Sequence, residues 1–178
     1  MPPPRRVTAG AGLRPGDSRL PQVRGFRGVK AHPRSKRGIP VALRVLVVDD
    51  EPDIRTVLRA TLERHGCAVA EAENGRKVVA SARRHKADIV LLDIMMPGVD
   101  GHEALAALQA NKRTRDIPIA MLTAMSDMAS IERAIDAGAT GYLTKPFSID
   151  MLYPQMEAII DKAREDSRHK VVDYPVVV

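Results

Sequence analysis

IVLLDIMMPG, residues 89–98, is the stretch that indicates the fold of this 178-residue chain most directly. Its first four residues form a continuous apolar run, which is typical of a strand buried on both faces of a parallel sheet. The run ends on Asp93, before a loop that contains Pro and Gly. A similar run, Leu43–Val48, ends on Asp49 and Asp50. Two buried strands that end on carboxylates direct attention to an acidic site at the strand ends.

Strand-like and helix-like segments alternate outward from these two runs. Five such units predict an α/β doubly wound fold, in which right-handed crossovers cover both faces of the sheet with helices. Ser126 or Asp127 is the expected cap of the fourth helix. Pro154 lies within the last helix and removes one hydrogen bond, so we expect that helix to kink or to begin late. The predicted strands are 43–48, 67–72, 89–92, 117–122 and 142–144, and the predicted helices are 54–62, 76–86, 101–110, 126–137 and 148–164.

The composition excludes several classes of protein. Cys67 is the only cysteine, so a disulphide framework is excluded and a reduced compartment, the cytoplasm, is expected. The sequence contains no run of about 18 apolar residues, so we predict no membrane span. The basic N-terminus is not followed by an apolar stretch, so it does not resemble a secretory signal.

Residues 1–40 differ in composition from the rest of the chain. They contain ten Lys or Arg and a single acid, with many Pro and Gly, and we predict that they form a disordered basic extension. The other residues include 18 basic and 21 acidic side chains, a net charge of −3. The folded part therefore gives no support for nucleic-acid binding. We predict one domain at 41–164 and a C-terminal tail at 165–178.

The basic extension has two interpretations. Alternative GTG start codons at Val29, Val41 or Val45 would leave most or all of residues 1–40 untranslated, and this is the interpretation that we favour. If the extension is made, its arginines would bind polyanions non-specifically and with a strong dependence on salt. Mass spectrometry of the native N-terminus distinguishes the two.

Polar residues follow four of the predicted strands: Asp49 and Asp50, Asp93, Thr123, and Lys145. Ligands of doubly wound sheets bind at the carboxyl ends of the strands, so we expect these side chains to share one crevice. Three carboxylates there repel one another, and Mg²⁺, which prefers oxygen ligands, relieves the repulsion. A lysine and a threonine hydroxyl suit the oxygens of a phosphoryl group. The set predicts a phosphate site with an aspartate nucleophile.

Each of these residues also has an ordinary structural interpretation. Asp49 and Asp50, which precede Pro52, suit the N-cap of a helix, and for that pair alone this is the better interpretation. Asp93 before a Pro-Gly loop suits a turn. The occurrence of all of them together, at the ends of the right strands, favours the phosphoacceptor.

Four motifs resemble those of bacterial response-regulator receiver domains. They are Val47-Val48-Asp49-Asp50-Glu51, Leu91-Leu92-Asp93-Ile94-Met95-Met96-Pro97-Gly98, Leu122-Thr123-Ala124 and Lys145-Pro146-Phe147. The resemblance covers about residues 43–163, and the ordered set is more specific than any one motif. It implies a flavodoxin-like sheet of five parallel strands in the order 2-1-3-4-5, with five helices.

The resemblance also implies the roles of the acidic residues. Asp93 would accept the phosphoryl group. Mg²⁺, or Mn²⁺ in its place, would be held by Asp93, by Asp50 directly, by Asp49 mainly through water, and by the backbone carbonyl of Met95.

Further roles follow from the same resemblance. Thr123 would donate a hydrogen bond to the phosphoryl oxygens, and Lys145 would pair with them. Tyr142 occupies the place of the aromatic residue that turns inward on activation. The Lys145–Pro146 peptide bond is expected to be cis.

Two methionines occupy positions that control dephosphorylation in the family. Met95 and Met125 lie two residues after the phosphoacceptor and two after the threonine. Neither side chain orients a water molecule through strong hydrogen bonds, and both are long enough to obstruct its approach. We therefore predict a long-lived phosphorylated state.

The resemblance implies a stand-alone signalling receiver rather than a conventional enzyme. Its donor would be a histidine kinase or a histidine phosphotransfer protein. Its output would pass through the face made by the fourth helix, fifth strand and fifth helix to a protein partner that the sequence does not name. We expect a monomer, no membrane association, and nucleic-acid contact only through residues 1–40.

Two other functions share part of this pattern. A phosphatase of the haloacid dehalogenase type also forms an aspartyl phosphate, but its Asp-x-Asp pattern follows the first strand, whereas Asp93 follows the third. A receiver coupled to RNA or DNA would depend on the basic extension.

Overall fold

A computed structural model of the protein describes residues 42–124 and 128–172, with side chains to residue 167. Five strands and five helices alternate along the chain, with one short 3₁₀ turn before the second helix. Their bounds are β1 Arg44–Val48, α1 Pro52–Arg64, β2 Ala68–Ala72, the 3₁₀ turn Gly75–Lys77, α2 Val78–His85, β3 Ile89–Asp93, α3 Gly101–Ala110, β4 Ile119–Ala124, α4 Met128–Asp136, β5 Gly141–Lys145 and α5 Ile149–Val172.

All five strands form one parallel sheet in the order β2-β1-β3-β4-β5. The predicted doubly wound architecture and strand order are therefore confirmed. The order reverses between β1 and β3, so their carboxyl ends open a crevice at the centre of the sheet. That position places the residues that follow β1 beside the last residue of β3.

The sheet has a hydrophobic core on each face, because successive side chains of a strand point to opposite faces. Val45 and Val47 of β1 pack with the side chains of α1 and α5. Leu46 and Val48 pack on the other face, with α2 and α3. Burial on both faces explains why β1 and β3 are apolar without alternation.

Local features move two of the predicted boundaries, and a glycine ends the turn after α1. β4 begins at Ile119 rather than at 117, after Pro118, which has no N–H to donate to a ladder. α2 begins at Val78, because Asn74 accepts a hydrogen bond from the backbone N–H of Arg76 and starts the 3₁₀ turn first. Gly66 ends the segment after α1 with a φ of 78°, a conformation that favours glycine.

The last helix differs most from the prediction. It begins at Ile149, so a late start is wrong, and it ends at Val172 rather than near residue 164. Pro154 lies inside it, between the buried side chains of Tyr153 and Met156. The helix therefore continues through Pro154, with buried side chains on both sides of it along the chain.

Several predictions concern residues outside the described ranges. These are the basic extension at 1–40, the caps Ser126 and Asp127, the side chain of Met125, and the end of the tail at 173–178. They stay predictions. None of the helices in the described ranges combines the length and the apolar character needed to cross a bilayer.

Candidate functional site

The turn after β1 carries the first two carboxylates of the site. The backbone N–H of Asp49 donates to the Ala72 carbonyl of β2 (3.2 Å), and Asp49 Oδ1 accepts from the backbone N–H of Glu51 (2.9 Å). The N-cap of α1 is Glu51, and no side-chain hydrogen bond caps this helix. The interpretation of Asp49 and Asp50 as helix caps is therefore wrong.

Three carboxylates meet at the carboxyl ends of β1 and β3. Asp49, Asp50 and Asp93 each place an oxygen within 4.8 Å of the others. Asp49 and Asp93 are buried, and Asp50 is half-buried. The positions of these residues at strand ends predict this convergence.

Lys145, the last residue of β5, reaches across β4 to the acidic cluster. Its Nζ lies 2.7 Å from Asp49 Oδ2 and 3.0 Å from Asp93 Oδ1. A third carboxylate, that of Glu51, lies 3.6 Å away. The Lys145–Pro146 peptide bond that follows is cis.

The protonation of Asp93 and Lys145 reflects their burial and their contacts. Burial raises the pKa of Asp93, Lys145 opposes the shift, and repulsion from Asp49 and Asp50 adds to it, so the pKa lies above its usual value. For Lys145, burial lowers the pKa, but the hydrogen bonds to Asp49 and Asp93 outweigh burial and raise it. The charged form of Lys145 is therefore favoured, whereas burial disfavours the ionised form of Asp93.

The remaining predicted residues differ in how much of each side chain is exposed to solvent. Thr123 is buried at the end of β4, and its hydroxyl donates only to the Ala124 carbonyl at 3.2 Å among the described contacts. The Met95 side chain is 75% exposed and the Tyr142 side chain 46% exposed. Thr123 is thus enclosed near the carboxyl end of β4, whereas the Tyr142 side chain is partly exposed on β5.

Sequence reasoning missed two residues that shape the site. Gly101 begins α3 so close to β3 that a Cβ atom would lie 2.7 Å from Ile94 Cα and closer still to the Asp93 carbonyl oxygen. Arg55 of α1 donates to the Asp49 and Asp50 carbonyls. From the sequence, Gly101 is only a helix start and Arg55 only a residue on a helix surface. The hydrophobic periodicity around these two positions does not mark either of them as a residue of the site.

The donor set suits a hard divalent cation. The cluster has three carboxylates, and one lysine contacts two of them, Asp49 and Asp93, so an excess of negative charge remains. Carboxylate oxygens are the ligands that Mg²⁺ prefers. Asp49, Asp50 and Asp93 are the residues that would hold such an ion.

Residues 45–157 match the family described as the response regulator receiver domain. The chain belongs to this family. Receiver domains are parts of two-component signalling systems, and the match covers every strand and all five helices at least in part.

Relatives of known name support the assignment to receiver domains. Protein PilH of Pseudomonas aeruginosa is 39% identical over 117 residues, which cover 66% of this chain and 97% of PilH. Transcriptional regulatory protein ResD of Bacillus subtilis is 40% identical over 124 residues, 70% of this chain and 50% of ResD. The chain thus spans about half of the length of ResD, and 64% of the length of PdtaR of Mycobacterium tuberculosis.

Solved receiver structures have the same fold. Chemotaxis protein CheY4 of Vibrio cholerae has a TM-score of 0.64 and 31% identity, covering 67% of this chain and 99% of CheY4. The receiver domain of sensor histidine kinase PA1611 of Pseudomonas aeruginosa, with a magnesium ion coordinated in its active-site cleft, has a TM-score of 0.62 and 32% identity, covering 68% and 99%.

Proposed function

We propose that this protein is a response-regulator receiver that accepts a phosphoryl group on Asp93 from a phosphohistidine donor. The observation that carries the proposal is the convergence of Asp49, Asp50 and Asp93, with the ammonium of Lys145 in contact with two of them, Asp49 and Asp93. The donor would be a histidine kinase or a histidine phosphotransfer protein.

The proposed transfer needs a nucleophile and groups that bind the phosphoryl oxygens. A carboxylate oxygen of Asp93 attacks phosphorus, the P–N bond of the phosphohistidine breaks, and its electron pair remains on the imidazole nitrogen, which then takes a proton. Lys145 already lies 3.0 Å from Asp93 and supplies positive charge to the transferred group. Thr123, at the end of the neighbouring strand, supplies a hydroxyl donor.

The proposed metal ligands are Asp49, Asp50 and Asp93, with the Met95 carbonyl. A bound Mg²⁺ or Mn²⁺ offsets the negative charge of the nucleophile and of the incoming phosphoryl group. The proposal is supported by the excess negative charge of the cluster and by the magnesium ion described for the PA1611 receiver.

The α4-β5-α5 face is the proposed output surface. Seven large hydrophobic side chains are exposed among the described residues, and five of them lie on these three elements. They are Met128 and Ile135 of α4, Tyr142 of β5, and Ile149 and Met151 of α5. Tyr142 lies three residues before Lys145 on the same strand. A movement of Lys145 towards a phosphoryl group is therefore expected to shift the residues of this face. The proposed output partner is a protein that binds these apolar side chains more tightly in one of the two states of the receiver, phosphorylated or unphosphorylated.

Chemical phosphorylation tests the proposal. Acetyl phosphate with Mg²⁺ is expected to add one phosphoryl group to the wild type, measured by intact mass, and none to Asp93→Asn. Asp116→Asn is the matched control, because Asp116 is an exposed carboxylate whose nearest ion-pair partner, Arg115, lies 3.9 Å away. Labelling of Asp93→Asn at the rate of Asp116→Asn would overturn the assignment of the phosphoacceptor.

A further inference from the structure

The turn that carries Asp49 and Asp50 is held by a side chain of α1. Nη1 of Arg55 donates to the Asp49 carbonyl at 2.7 Å and to the Asp50 carbonyl at 3.0 Å. Both carbonyls precede α1 and lie outside its ladder of hydrogen bonds. Since buried backbone carbonyls need donors, the guanidinium fixes the orientation of the two peptide groups that carry these carboxylates.

Arg55 is itself held by an acidic residue of β2. Its Nε lies 3.7 Å from Glu71 Oε2, and the other oxygen of Glu71 accepts a hydrogen bond from Arg59 Nε at 2.6 Å. The side chain of Arg55 is 16% exposed, that of Glu71 25%, and that of Arg59 44%. Arg55 is therefore the enclosed member of this trio, and Arg59 lies at its solvent edge.

The location of Arg55 is unfavourable for a cation on its own. It is the fourth residue of α1, near the positive end of the helix dipole. Glu71 and the two carbonyls offset that cost. An arginine held in this way is expected beside a metal site, because residues that contact the ligands without touching the metal fix the geometry of the ligands.

We propose that Arg55, anchored by Glu71, is a positioning residue that sets the affinity of the acidic cluster for its divalent cation by orienting Asp49 and Asp50. The inference rests on the proposed function. Arg55 contacts the turn rather than Asp93, so its removal is expected to weaken metal binding and to leave the phosphorylation rate at saturating metal nearly unchanged.

Direct measurement of metal binding tests this inference. The sequence contains no Trp, so Mg²⁺ binding is measured by isothermal titration, at a temperature where circular dichroism shows every variant to be folded. We expect Arg55→Gln to raise the Mg²⁺ dissociation constant about tenfold or more, the usual effect of losing an outer-shell partner. Glu71→Gln is expected to shift it in the same direction by a smaller factor.

Arg59→Gln is the matched control. It removes an arginine of the same helix that contacts the same glutamate but no carbonyl of the turn. We expect its Mg²⁺ dissociation constant to stay within about twofold of the wild type, because Glu71 remains free to pair with Arg55. Equal weakening by Arg55→Gln and Arg59→Gln would overturn the inference, because the hydrogen bonds that Arg55 alone donates to the turn would then not be the cause. Loss of a positive charge by itself is expected to strengthen the binding of a cation.

Labelling with acetyl phosphate separates this inference from the proposed function. For Arg55→Gln we expect the Mg²⁺ concentration at half-maximal rate to rise in parallel with the dissociation constant, while the maximal rate changes little. If the wild type and Arg55→Gln bind Mg²⁺ with equal affinity, the inference about Arg55 is overturned and the proposed function still stands. A wild type that binds no Mg²⁺ and is not labelled would overturn the proposed function and this inference with it.

Discussion

Gly101→Ala places a methyl group against the backbone of the strand that carries Asp93. The added Cβ would lie 2.7 Å from Ile94 Cα and 2.9 Å from the Asp93 carbonyl carbon. Carbon atoms in contact are normally about 3.5–4.0 Å apart, so α3 and the end of β3 must separate by about 1 Å. The neighbour is backbone and has no rotamer that would relieve the contact.

The cost of this substitution follows from the close approach. Overpacking of a core costs about 1–3 kcal/mol, and a rigid backbone neighbour favours the upper half of that range. Replacement of glycine restricts the unfolded chain, which returns about 0.4–1 kcal/mol. We expect a net loss of about 2 kcal/mol in the free energy of unfolding. Because the displaced atoms belong to Asp93 and Ile94, we also expect phosphorylation to slow by about 10- to 100-fold, the usual effect of a misplacement of about 1 Å.

Two measurements check this prediction, urea unfolding and the rate of labelling by acetyl phosphate. Gly66→Ala is the control, because Gly66 has a φ of 78°, an added methyl group there would meet no atom within 4 Å, and the residue lies beyond the far end of α1. Its left-handed backbone costs about 1–2 kcal/mol in any other residue, so stability falls comparably while labelling is unchanged. Wild-type labelling of Gly101→Ala, or equal slowing in both variants, would refute the reasoning.

Four other predictions concern the site and its output. Labelling is expected to need Mg²⁺ or Mn²⁺ and to stop in chelator, with Asp50→Ala more damaging than Asp49→Ala; labelling at the wild-type rate in chelator would contradict this. The pKa of Asp93 is raised, mainly by burial, so ionisation of Asp93 disfavours the folded state. In chelator, the free energy of unfolding of the wild type should therefore fall relative to that of Asp93→Asn as pH rises through that pKa. Urea unfolding at several pH values measures this difference, and a difference that did not change with pH would count against it. The phosphorylated wild type is expected to persist for many minutes to hours, and a Met95→Asn, Met125→Glu double variant to decay faster; a lifetime of seconds, or no acceleration in the variant, would show that the methionines do not control the water. Amide exchange across α4, β5 and α5 is expected to change on adding beryllofluoride, and an unchanged pattern would argue against the proposed output face.

The elements of the fold are largely predictable from local sequence. The apolar runs of β1 and β3 reflect burial on both faces of the sheet. The helical spacing in α1 and α3 reflects burial of one face of each helix against the sheet. The boundaries are less predictable where a turn or a long helix depends on neighbours. α5 continues to Val172, beyond the segment that hydrophobic spacing alone indicates.

The candidate site divides in the same way. The positions of Asp49, Asp50, Asp93, Thr123 and Lys145 at strand ends are readable from the sequence, because parallel strands bring their carboxyl ends to one edge. Their contacts are not readable. The sequence does not show that Lys145 Nζ lies between Asp49 and Asp93.

The sequence by itself determined the type of each element and the identity of the chemical groups at the strand ends, because both follow from side-chain period and residue type. Only the tertiary structure decided which groups touch. Gly101 is required by the approach of α3 to the end of β3, and Arg55 acts by folding back from α1 onto the turn after β1. Both contacts join residues of different elements that the fold brings together. They leave no periodic pattern in the sequence, because they depend on how whole elements pack.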